Sequence, residues 1–300
     1  MTSRHLVRRD GAGAAPAQGN ALATGAGFRR RSLVDEAGGA VHTGFGVCEL
    51  EPDGSVPAHV HSFEESFFVL EGAAVLRSAE GALLVRAGDY GVLPVGVPHA
   101  WSNAEDGVFR WADMLAPQPR ARSGHDTLLV PKLRASPDPA LAVDVRDPRI
   151  RWFGHIEPAD MDPTGQSLEQ GAVSASMRTA LLVYTSGGIT VKMMVDSDLG
   201  ALLSTMFMVQ YPPRGFAGTH DHPFEETYLI LDGEVDASFD GERYRLVAGD
   251  AAWAGVGCVH GFSNPADRPV RWLETQAPQP PPRHSYRFTR DWDYLRDALS

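Results

Sequence analysis

His59, His61, Glu65 and His99 offer three imidazoles and one carboxylate. These are borderline nitrogen and hard oxygen donors, which suit a divalent transition metal such as iron, manganese, nickel, zinc or cobalt. His59 and His61 stand two apart, so on a strand they project to one face, and Glu65 has the same parity. His99 comes from a distant stretch, just after LPVGVP, a Pro and Gly turn that re-aims the chain. A lone HxH pair carries little weight, because paired histidines occur on ordinary surfaces. Here the set recurs as His220, His222, Glu226 and His260 with identical spacing, and six of the eleven histidines fall on the two sets. That repetition makes satisfied core histidines the weaker reading and predicts up to two metal ions per chain. Such sites leave one or two positions open for substrate or oxygen.

The elements that must position these groups come from an internal repeat. HVHSFEESFFVLEG at residues 59–72 returns as HDHPFEETYLILDG at residues 220–233, an offset of 161 residues. Without a gap, the same offset carries Gly88-Asp89 onto Gly249-Asp250, Asn103 onto Asn264 and Arg110-Trp111 onto Arg271-Trp272. Two copies at so long a period predict a tandem domain pair and exclude a solenoid. Short apolar and aromatic runs such as SFFVLEG, ALLVRAGD, YLILDGEV and RYRLVAGD end at Gly or Asp, which is strand and turn chemistry. We therefore expect an all-β chain of two jelly-roll barrels, at 27–119 and 188–280. A Pro-rich, acidic strap at 120–187 would join them, with a strand-like TALLVYT near its end. Residues 1–26 read as a flexible tail, since Ala, Gly and Pro bury too little surface to offset ordering. Residues 281–300 read as an extended Pro-rich tail closed by a short helix at DWDYLRDALS, capped by Asp291.

In the first copy Gly54, His59, His61, Glu65 and Gly72 are followed by Gly88, Pro94, Gly96, His99 and Asn103. In the second, Gly215, His220, His222, Glu226 and Gly233 precede Gly249, Gly257, His260 and Asn264, with Gly255 in place of the proline. This pattern resembles the two signature motifs of the cupin superfamily. The resemblance implies a bicupin, two double-stranded β-helix barrels, with the three histidines and the glutamate of each copy as metal ligands. Cupins host oxygenases, decarboxylases, isomerases, lyases, hydrolases and plain binding proteins, so the reaction does not follow from the fold.

The first expectation is a non-haem iron(II) or manganese(II) dioxygenase acting on a small polar metabolite. Phe67, Phe68, Val69 and Trp101, or Tyr228, Ile230, Trp253 and Phe262, would wall the site off from water. The second is a metal-dependent hydrolase or isomerase. The two-barrel plan is similar to ureidoglycine aminohydrolases, whose ligand set differs from the intact ones here, and the arginine and tryptophan pattern of oxalate decarboxylases is not found. The third is a small-molecule-binding cupin without turnover. Tyr228 is the candidate acid/base residue, weighed against a hydrogen-bonded core tyrosine. Val92 matches Trp253, Tyr90 matches Ala251 and Phe67 matches Tyr228, so the two cavities should differ.

A net charge of -11 and a pI near 5.4 argue against nucleic acid as a partner. Small molecules are expected instead, and no stretch has the length and apolarity to span a bilayer. Cys48 and Cys258 form no CxxC pair, which fits a reducing cytoplasm. Strand edges on duplicated barrels suggest a homodimer.

Overall fold

The computed structural model describes residues 3–10, 24–134, 139–144, 146–162, 189–279 and 287–288. The first half contains β1 (His5–Arg8), β2 (Ala26–Val34), β3 (Gly44–His61), β4 (Glu64–Glu71), β5 (Ala73–Ser78), β6 (Gly81–Arg86), β7 (Asp89–Leu93), β8 (His99–Asn103) and β9 (Phe109–Ala116). The connection adds β10 (Thr127–Leu129), β11 (Leu141–Ala142) and β12 (Phe153–His155). The second half contains β13 (Thr190–Val195), β14 (Thr205–Tyr211), β15 (Phe216–Asp221), β16 (Glu225–Asp232), β17 (Glu234–Phe239), β18 (Glu242–Val247), β19 (Ala251–Ala254), β20 (His260–Ser263), β21 (Val270–Ala277) and β22 (Arg287–Phe288). The chain is all-β, as expected, and folds as two jelly-roll barrels.

In barrel two the sheets are separate, ordered β1-β19-β16-β21-β14-β13 and β18-β17-β20-β15-β22. In barrel one the 18-residue β3 passes from one sheet into the other, pairing β9 along residues 44–50 and β8 along residues 55–59. Asp53 within it takes a positive φ of 60°, and this kink lets one strand serve two layers. Each barrel has its own apolar filling, with Phe67, Trp101 and Trp111 in the first and Tyr228, Phe262 and Trp272 in the second. A third cluster lies between the barrels, where Val34, Phe45, Phe68 and Met114 meet Met194, Met206, Leu229 and Trp253. β4 and β16 are thus buried on both faces, which explains why EESFFVLE and EETYLILD read as continuous apolar runs and not as alternating ones.

The N-terminal tail and the strap both hold strands that the sequence reading did not assign, β1 in the first and β10, β11 and β12 in the second. His5–Arg8, placed in the flexible tail, forms β1 and pairs antiparallel with β19. The unpaired edge of β19 supplies the hydrogen bonds, and Leu6 and Val7 pack on buried clusters, so four residues of HLVR gain enough to be ordered. β12, from the strap, covers the matching edge β7 of barrel one. The TALLVYT stretch, residues 280–286 of the Pro-rich tract and the C-terminal helix lie outside the described residues.

Candidate metal centres

The pairing of β3 with β8 sets His59 directly opposite His99, and the pairing of β15 with β20 sets His220 opposite His260. Glu65 arrives differently from the parity argument. The chain leaves β3 after His61, turns at residues 62–63, and returns in β4 on the facing sheet, from which Glu65 reaches in. Its Oε2 lies 3.0 Å from His61 Nε2 and 3.5 Å from His99 Nε2, and those two nitrogens are 3.3 Å apart. Glu226 Oε2 stands 2.8 Å from His222 Nε2 and 3.3 Å from His260 Nε2. The structure thus gathers one ligand atom from each of the four first-copy residues within 4.8 Å of one another, and one from each of the three histidines of the second copy likewise. Glu226 meets two of those histidines while also accepting from Tyr228 Oη and Gln276 Nε2.

Whether these sets suit a cation is decided by the outward nitrogens. His59 Nδ1 donates to Pro57 O at 2.8 Å and His99 Nδ1 to Val97 O at 3.0 Å. In barrel two His220, His222 and His260 donate in the same way to Gly218 O, Phe224 O and Cys258 O. A proton held on Nδ1 turns Nε2 into the ligating atom, and these Nε2 atoms converge on a buried carboxylate. Burial, followed by the neighbouring histidines, pushes His59 down to about 3, His61 to about 2 and His220 to about 3, which keeps the imidazoles neutral. Burial pushes Glu226 up, but His222 and His260 outweigh it and hold it well below the usual carboxylate range. Beside it, burial and the Glu226 charge drive Glu274 well up, so Glu274 carries the proton while it accepts from Trp272 Nε1 at 2.8 Å. Three converging ring nitrogens with a carboxylate among them fit a divalent metal ion.

A cavity of about 430 Å³ reaches the first set and is lined by His59, His61 and Glu65 with Phe63, Trp101 and Arg30. Of the expected walls, Trp101 lines this cavity, whereas Phe68 and Trp253 turn away into the cluster between the barrels. Phe68 follows Phe67 on one strand, and adjacent side chains point to opposite faces. Tyr228, the candidate acid/base residue, is buried with its hydroxyl on Glu226. Sequence reasoning missed Arg30, Asp113 and Cys48, which also line the first cavity. Comparing the repeats position by position was the signal available, since Arg30 and Cys48 match Val191 and Val209.

A family model for the cupin domain matches residues 46–115 and again 207–275. The chain is a two-domain cupin. Among curated relatives, this bicupin is 25% identical over 118 residues to the tetracenomycin polyketide synthase protein TcmJ of Streptomyces glaucescens, covering 39% of this chain and 79% of that protein. It is 26% identical over 98 residues to the HTH-type transcriptional regulator PuuR of Escherichia coli, covering 33% of this chain and about half (53%) of the regulator. Among solved structures, salicylate 1,2-dioxygenase from Pseudaminobacter salicylatoxidans superposes with a TM-score of 0.65 at 16% identity, over 83% of this chain and 76% of that one. An oxalate decarboxylase variant from B. subtilis superposes with a TM-score of 0.64 at 12% identity, over 100% and 84%. At such identities these structures establish the shared two-barrel fold.

Proposed function

We propose that this bicupin is a metal-dependent enzyme acting on a small polar metabolite, and that its reaction is that of a non-haem iron(II) or manganese(II) dioxygenase carried out in barrel one. The observation that carries this reading is the complete three-histidine, one-glutamate set at the wall of a cavity large enough for one small substrate. His59, His61, Glu65 and His99 would hold the ion there, and His220, His222, Glu226 and His260 would hold a second in barrel two. A bound ion supplies Lewis acidity and open positions for substrate oxygens and O₂. The chain's own residues do the rest: the backbone carbonyls of Pro57 and Val97 fix the imidazole tautomers, Phe63 and Trp101 exclude water, and Glu65 brings one negative charge to the ion. In barrel two, Tyr228 serves Glu226 as a positioning donor. A homodimer in a reducing compartment completes the proposal, the latter supported by two free, buried thiols.

The test is elemental analysis of the purified chain together with oxygen uptake on catechols, β-diketones and flavonols after reconstitution with iron or manganese. Metal near two per chain with substrate-dependent O₂ consumption is the expected result. Metal without oxygen consumption would overturn the dioxygenase assignment in favour of a metal-dependent hydrolase or isomerase, and absence of metal would leave a binding cupin.

A further inference from the structure

Duplication gives each residue of the first cavity a reference position in barrel two. Arg30 on β2 donates from Nε and Nη2 to Asp113 at 2.6 and 2.8 Å, and Cys48 Sγ donates to the same carboxylate at 3.3 Å. Cys48 is the cross-strand partner of Arg30, and at Gly46, two residues along β3, a Cβ would lie 2.8 Å from the Arg31 backbone oxygen and 2.9 Å from Arg30 Cζ and Nη2, so glycine leaves room for both. At the matched positions of barrel two stand Val191 and Phe207, and Phe207 is buried in apolar surroundings. Asp113 matches Glu274, a buried carboxylate that accepts from Trp272 Nε1, so barrel two keeps an acid here but has hydrocarbon at the positions of Arg30 and Gly46, whereas barrel one installs a guanidinium.

A buried ion pair is a poor device for stability alone, because apolar residues of similar volume usually hold a fold as well or better. Barrel two shows that this barrel forms without the pair. Arg30 lines the same cavity as the metal set, and its Nη1 has no protein acceptor among the described residues. Burial disfavours its charge, yet the Asp113 carboxylate outweighs burial and keeps Arg30 protonated. Asp35 and Glu36 line the same cavity, so an anion would be drawn here by the Nη1 edge of Arg30 and not by the summed charge.

We propose that Arg30 is the specificity-determining residue of barrel one and that it receives the carboxylate of a flat, ring-sized acid whose other polar end sits at the metal. This rests on the reading of His59, His61, Glu65 and His99 as metal ligands. The guanidinium fork matches a planar carboxylate, and a lysine at this position would not reproduce it. Phe63, Trp101 and Trp111 supply an apolar lining for the ring, and the volume falls in the range of small-ligand sites.

The experiment uses the full chain loaded with redox-inert zinc and titrated calorimetrically with catechol, 2,3-dihydroxybenzoate and 3,4-dihydroxybenzoate. One of the two acids is expected to bind roughly tenfold more tightly than catechol, the scale of a hydrogen bond between charged groups. In Arg30→Met that preference should shrink to within about twofold, with catechol affinity and zinc content unchanged. Because Arg30→Met leaves Asp113 buried and uncompensated, the double variant Arg30→Met/Asp113→Asn is measured alongside and should show the same loss. Equal binding of acid and catechol by the wild type, binding of neither, or a preference that survives both substitutions would overturn the proposal. The dioxygenase reading fails separately, when the iron-loaded chain consumes no oxygen with these compounds although the Arg30-dependent preference is present.

Discussion

The histidines of both centres are set by their backbones before any ion arrives. Five of the six spend their Nδ1 proton on a carbonyl of the chain, so the coordinating nitrogen is chosen by local folding. Ring orientation fixed in this way lowers the cost of assembling the site. The double substitution His220→Ala with His222→Ala is expected to remove one metal equivalent, read by mass spectrometry of metals, and to leave barrel one loaded. Unchanged stoichiometry would remove barrel two from the assignment. These histidines were legible in the sequence because chemistry and spacing were repeated. Arg30, Gly46 and Asp113 were not, because each is unremarkable alone and they become a unit only when β2, β3 and β9 are paired.

At the level of elements, β4 and β16 carry adjacent carboxylates with opposite duties. Glu65 and Glu226 point inward to the histidines, while Glu64 and Glu225 cross to the sister barrel. Glu225 accepts from the amides of Val41, His42 and Thr43 at 2.8 to 3.0 Å, and Glu64 from the amides of Leu202, Leu203 and Ser204 and from the Ser204 hydroxyl, the last at 2.6 Å. Strand alternation makes this division, but in the text of the sequence Glu-Glu gives no sign of which residue faces where. The repeat and the strand runs located both barrels, whereas β1 escaped notice because an edge supplied by a distant strand orders it. Glu225→Ala should strand three donors at the contact and lower stability by roughly 3 kcal/mol, measured by urea denaturation. Glu225→Gln, which retains one acceptor, should lose less than half of that.

On the scale of the whole molecule, the two clasps are reciprocal. Position 64 grips 202–204 and position 225, its repeat equivalent, grips 41–43, which is the self-complementary pattern of a two-fold interface. The apolar cluster between the barrels draws side chains from both. Each half produced alone would bare that cluster and three amides, so separately expressed halves are expected to be insoluble or unfolded, and co-expression to restore a soluble pair by size-exclusion chromatography. A soluble, folded single barrel would show that the clasp is dispensable. The reciprocal clasp amounts to a dimer interface held inside one polypeptide, where pairing no longer depends on concentration. Identical subunits must carry every substitution twice. Joined subunits need not, and such a chain lets one barrel pair Gly46 with Arg30 while its partner keeps Phe207 and Val191.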